Sequence, residues 1–161
     1  MRRELPMVLV GHANYASVTH DGSPASLSKK WITDVLRKKI GYRGLVVSDD
    51  MEMGGVLKAA SIGQAAVEFV RAGGDLCLIC RQEDFVMSAY EDLIRETERD
   101  RKFARRVKES AAKVLAFKKK SEELKRRSSA VPIAKVEKIS RQLWEFGEEV
   151  RMETIQREEQ A

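Results

Sequence analysis

Three short, nearly uninterrupted apolar runs punctuate the chain: Met7-Val-Leu-Val10, Leu45-Val-Val47 and Leu76-Cys-Leu-Ile-Cys80. A strand with one wet face alternates apolar and polar residues. A run that is apolar at every position must be covered on both faces, which is the situation of a parallel strand between two layers. The segments between the runs carry helical spacing instead. Leu27, Trp31, Val35, Leu36 and Ile40 predict one helix, with Ser26 or Ser28 placed to cap it and Gly41 to end it. Ile62, Ala65, Ala66, Phe69 and Val70 predict a second, closed by Gly73-Gly74, and Phe85, Met87, Tyr90, Leu93 and Ile94 a third. The order is β-α-β-α-β-α, with strands opening at residues 7, 45 and 76, in steps of 38 and 31 residues. Roughly thirty residues per unit suits an eight-stranded β/α barrel. The same order also fits half of a doubly wound open sheet.

Beyond residue 100 the pattern changes. Phe103, Val107, Ala111, Val114, Leu115 and Phe117 predict a long helix, Ser128-Ser-Ala-Val-Pro132 breaks it, and Val136, Ile139, Leu143, Phe146 and Val150 mark one more amphipathic helix. The net charge of +5 is concentrated here: residues 1–100 hold 13 Lys+Arg against 15 Asp+Glu, and residues 101–161 hold 17 against 10. The basic stretch Lys118-Lys-Lys120 with Lys125-Arg-Arg127 has no interleaved aromatics, so it reads as a solvated helix face rather than a nucleic-acid site. No run approaches the eighteen or so apolar residues of a membrane span. The N-terminus lacks the form of a signal peptide, which leads to the expectation of a cytoplasmic protein. Cys77 and Cys80 lie in an apolar run where residues three apart point to opposite faces, so they are expected to be buried structural cysteines.

Asp49 and Asp50 follow directly on the second apolar run. The C-terminal end of a parallel strand is where β/α proteins place their sites. A carboxylate there can attack a carbon electrophile, bind a divalent metal or cap the next helix, and the residue types leave all three open. Neighbouring residues leave a strand in different directions, so at most one of the two aspartates faces a shared substrate. His12 also ends a strand, either held by backbone at its rim or facing a ligand pocket. Asn14, Met51 and Met53 are weaker candidates, and His20 reads as a loop residue.

The wording of Lys38-Lys-Ile-Gly-Tyr-Arg-Gly-Leu-Val-Val-Ser-Asp-Asp-Met-Glu-Met53 resembles the nucleophile segment of family 3 glycoside hydrolases, in particular their bacterial β-N-acetylhexosaminidase branch. Val10-Gly-His-Ala-Asn-Tyr15, Pro24-Ala-Ser-Leu-Ser28 with Leu36-Arg37, Ala72-Gly-Gly-Asp-Leu-Cys-Leu-Ile-Cys80 and Arg106-Val-Lys-Glu-Ser110 resemble the flanking segments in the right order. The resemblance spans about residues 5–120 and implies the last three β/α units of a (β/α)8 barrel, a partial barrel followed by C-terminal helices. It divides the chain into 1–120, the C-terminal portion of the barrel, and 121–161, a charged helical extension. It places Asp49 as the nucleophile of a retaining hydrolysis of terminal β-linked N-acetylglucosamine, as in peptidoglycan fragments, and His12 and Met53 as residues bordering the sugar. No metal and no organic cofactor is implied.

A whole barrel takes about 250 residues. The family's histidine-aspartate acid/base pair, on a loop before the sixth strand, has no counterpart here. Nor do the upstream strands that contribute arginine and aspartate contacts to the sugar. The expectation is therefore a fragment inactive alone, completed by a missing N-terminal barrel segment or another chain, with Met1 internal to a longer reading frame. Two further readings stay open: a small α/β domain holding Mg²⁺ at Asp49 and Asp50, and an interaction module working through the C-terminal helices.

Overall fold

The computed structural model describes residues 5–19, 22–121 and 130–159. They fall into two units, Met1–Ser121 and Glu122–Ala161. His20 and the Lys125-Arg-Arg127 stretch lie outside the described residues.

In the first unit, β1 (Met7–Val10), β2 (Leu45–Asp50) and β3 (Leu76–Leu78) form a parallel sheet in the order β1-β2-β3. Met7 pairs with Leu45 and Val10 with Ser48, while Val47 pairs with Leu76 and Asp50 with Leu78 across a register irregularity. One face of the sheet packs on helices. Val46 sits in a core with Ile32, Met51, Val56, Phe69, Val70 and Phe103. The opposite face carries Met7, Leu9, Leu45 and Val47, aligned by the register. Along β1 this face is open, with Met7 39% and Leu9 55% exposed. Continuous apolar runs call for cover on both faces; among the described residues the central strand has it, with Leu45 and Val47 buried, and β1 does not.

The connections are helical. One-turn helices α1 (Ala16–Thr19) and α2 (Gly54–Leu57) lie near the strand ends, α3 (Ile62–Ala72) and α4 (Glu83–Arg99) flank β3 in sequence, and α5 (Arg101–Lys120) closes the unit. Ser61 and Gln64 form a reciprocal capping box at the start of α3, and Gly73 ends it at φ 114°. The next glycine is needed for space: a Cβ on Gly74 would lie 2.3 Å from the Phe69 ring. Asp100 caps α5 by accepting from the Lys102 and Phe103 amides.

Several expectations need correcting. The segment after β1 is a 3-10 turn, Ala25–Leu27, followed by a π-helix, Lys30–Lys39. The wider winding shows in the Ile40 N–H, which bonds the Val35 carbonyl five residues back. Of the two serines placed to cap this helix, Ser26 is fully buried and bonds His12, while Ser28 Oγ accepts from the Trp31 amide at 3.5 Å. The third strand stops at Leu78, so only Cys77 packs on the core, where burial pushes its thiol up to about 12, while Cys80 is exposed. On α4 the inward stripe is Phe85, Ala89 and Leu93. Met87, Tyr90 and Ile94 point out, at 50%, 58% and 41% exposure.

A charged cluster lies at the N-terminal end of β3. The Asp75 carboxylate, with no exposed side-chain surface, accepts from Arg37 (2.6 Å), Arg106 (2.7 Å), Ser110 Oγ (3.0 Å) and Val46 N–H (3.1 Å). Arg37 and Arg106 also donate to the carbonyls of Gly44, Gly73 and Gly74. Four segments distant in sequence, the π-helix, β2, the α3–β3 turn and α5, are thereby tied to one buried acid.

The second unit contains α6 (Ile133–Glu159), with Pro132 just outside its first turn.

Candidate active site

The opposite end of the sheet, where the strands finish, carries the candidate chemistry. Strand alternation turns Val46 and Ser48 toward the helices, and Ser48 Oγ there accepts from Leu78 N–H at 2.9 Å. Asp49 is consequently on the other face. One of its carboxylate oxygens, Oδ1, accepts from the Asp50 amide at 2.8 Å. The other, Oδ2, takes no hydrogen bond from the described residues and lies beside Gly11, where even an added Cβ would stay 4.0 Å away. Asp49 is half-buried. It is thus a carboxylate oriented through one oxygen and open at the other, on the central strand.

The loops around it are fastened from both sides. His12, just past β1, bonds the Asp50 carbonyl through Nε2 (2.9 Å) and Ser26 Oγ through Nδ1 (2.7 Å). A carbonyl only accepts, so Nε2 carries a proton; in the neutral ring Nδ1 then accepts from the Ser26 hydroxyl. With both nitrogens engaged, His12 ties the β1 loop to the end of β2. Gly55 permits this approach, since a Cβ there would come 3.2 Å from His12 Cβ. Asp50 Oδ1 accepts from the Glu52 amide at 3.0 Å, closing the turn after β2. Glu52 performs the matching task on the far side. Its Oε1 accepts from the Arg81 and Gln82 amides at 2.7 and 2.9 Å, and the Gln82 bond above all holds its carboxyl below the ordinary range. Sequence reasoning passed over Glu52. An acid inside an otherwise apolar loop, at the end of a buried strand, is the signal that could have found it.

The remaining predicted residues are placed as follows. Met53 is 46% exposed at the N-cap of α2, while Met51 is fully buried in the core. Asn14 donates to Gly22 O within its own loop. Among the described residues no three His, Cys, Asp or Glu are grouped so as to hold a metal ion. Asp50 and Glu52, the acids nearest Asp49 in sequence, are committed to backbone amides. A cleft of about 950 Å³ is at the wrong end for this chemistry: it is lined by Lys39, Tyr42, Arg43, Gly44 and Phe117, near where β2 begins.

Comparison with known proteins gives the family of the chain. The sequence profile of the glycosyl hydrolase family 3 N terminal domain matches residues 2–117. A β-hexosaminidase of Bordetella avium is 37% identical over 89 residues, which are 55% of this chain and 25% of that protein. A family 3 β-N-acetylglucosaminidase from Paenibacillus superposes with a TM-score of 0.74 at 29% identity, over 81% of this chain and 24% of the other. The β-N-acetylglucosaminidase of Thermotoga maritima gives 0.64 at 35% identity, over 72% and 25%. The chain thus spans about a quarter of the length of the relatives it matches. With that profile covering the sheet, its helices and both aspartates, the chain belongs to glycosyl hydrolase family 3.

Proposed function

We propose that this chain is the nucleophile-bearing part of a retaining β-N-acetylglucosaminidase, its three β/α units being the last three of a (β/α)8 barrel. The observation that supports the reading is Asp49: a carboxylate at the end of the central strand, steadied through Oδ1 and open at Oδ2. In the reaction, Oδ2 attacks the anomeric carbon and displaces the leaving oxygen, which takes a proton from a general acid. Water, deprotonated by the same group, then releases the sugar from the glycosyl-aspartate. His12 has both nitrogens engaged and Glu52 is held by two amides, so neither is free for the proton transfers. The acid/base and the remaining pocket come from a polypeptide carrying the preceding β/α units, seated against the open face and edge of β1. The substrate is a terminal β-linked N-acetylglucosamine. His12 borders it as a positioning residue, and Met53 lies at its rim.

The test combines the chain with an upstream barrel segment of a family member. The pair is treated with a fluorinated N-acetylglucosaminide whose leaving group departs without protonation, and the product is analysed by peptide mass spectrometry. Glycosylation at Asp49, lost in Asp49→Asn, is expected. A label on Asp50, or turnover by the chain alone with an unactivated substrate, would refute the assignment.

A further inference from the structure

Helix α6 lies outside the family match and presents an apolar seam to solvent. Val136, Ile139, Leu143, Phe146 and Val150 follow one another at steps of three, four, three and four residues, the spacing that packs one helix against another, and Pro132 extends the series backward. They are 46–66% exposed. The next two seam positions are Glu153 and Arg157, so the apolar stretch ends at Val150. Most of a helix's stability in proteins comes from packing such a face rather than from propensity.

We infer that residues 132–150 pair with the same residues of a second copy of this chain, as an antiparallel two-helix coiled coil. Aligned about Arg141, the seams interlock without a gap: Pro132 meets Val150 of the partner helix, Val136 meets Phe146, and Ile139 meets Leu143, each contact occurring twice by symmetry. Two independent features favour this register. Lys135 and Glu149, which flank the seam, come together as two ion pairs; a parallel pairing sets Lys135 beside Ser140 and Glu149 beside Thr154. Gly147 is the other. A mid-helix glycine is unfavourable relative to alanine, and among the described residues of its own unit an added Cβ on Gly147 meets no atom within 4 Å. In the antiparallel pair Ile133, 76% exposed in the single chain, falls opposite Gly147 of the other copy and fills the space its missing side chain leaves.

The experiment is sedimentation equilibrium of the full chain and its variants. The wild type is expected to be a reversible dimer, and Leu143→Glu a monomer with unchanged near-ultraviolet signal from the first unit. Lys135→Glu should weaken association about tenfold by replacing two attractions with two repulsions, and adding Glu149→Lys should restore it. Gly147→Leu should weaken the dimer although it raises helix propensity. A monomeric wild type, a dimer indifferent to Leu143→Glu, or charge reversal without rescue would each overturn the proposal.

Discussion

Replacing Asp75 with alanine tests the account of what holds the sheet to its helices. The substitution removes the acceptor for four donors: the Arg37 and Arg106 guanidinium groups, the Ser110 hydroxyl and the Val46 amide. Deleting one member of a buried ion pair costs about 3–5 kcal/mol, because the partner charge stays behind. Here both arginines keep carbonyl acceptors at Gly44, Gly73 and Gly74, and their side chains retain 13% and 19% exposure. That relief puts the expected loss near the lower end, at about 3 kcal/mol, or a melting temperature lower by about 10 °C. Urea melts in a Trp144→Phe background, where Trp31 alone reports on the first unit, measure it. The acid dependence supplies a second readout. Burial raises the Asp75 carboxyl, but the Arg106 bond, the Val46 amide and the Arg37 and Lys113 charges outweigh it, so its folded pKa is depressed. A depressed carboxyl stabilises fully above its unfolded value of about 3.9 and loses that contribution as pH falls through the folded value. The gap between wild type and Asp75→Ala should therefore narrow in acid. A loss below about 1 kcal/mol at neutral pH, the scale of an exposed pair, would refute the reasoning.

Asp49→Asn should leave stability unchanged, since an amide oxygen can still accept from the Asp50 amide; a lowered melting temperature would make Asp49 a structural acid. Glu52→Ala should speed hydrogen exchange at the Arg81 and Gln82 amides, read by NMR, while exchange in α3 stays the same. Gly74→Ala should cost about 1–3 kcal/mol through collision with the Phe69 ring, measured in the same urea melts. A thiol reagent should modify Cys80 in the native protein and reach Cys77 only on unfolding, which peptide mapping would distinguish.

The sheet is legible in the sequence because three apolar runs leave little choice of element, and Asp49 is legible as a strand-end acid because it abuts one of them. The anchoring pairs are harder to see. His12 and Ser26 are 14 residues apart, and Asp75 meets Arg37 and Arg106 at separations of 38 and 31, distances over which no local periodicity operates. The π-helix is not legible because its apolar residues recur at four-residue steps, Leu27, Trp31, Val35 and Ile32, Leu36, Ile40, that suit an ordinary helix. Cys80 was misplaced because an apolar residue following a strand reads like more strand, although the backbone had already turned toward the Glu52 carboxylate. On α4 one list of apolar residues concealed two stripes, since Phe85 and Leu93 face the core and Met87, Tyr90 and Ile94 do not.

Among the described residues β1 is an edge strand, and such an edge has a consequence for the chain in a cell. Unpaired backbone amides and carbonyls bear no sequence label, so such an edge accepts any strand that reaches it, including the same edge of another molecule. The side chains of β1, Met7 to Val10, are all apolar and add selectivity by shape. On the proposed reading, pairing with the preceding β/α units competes with pairing between copies of this edge. On that reading, a high concentration of this chain with that edge uncovered favours self-pairing and aggregation.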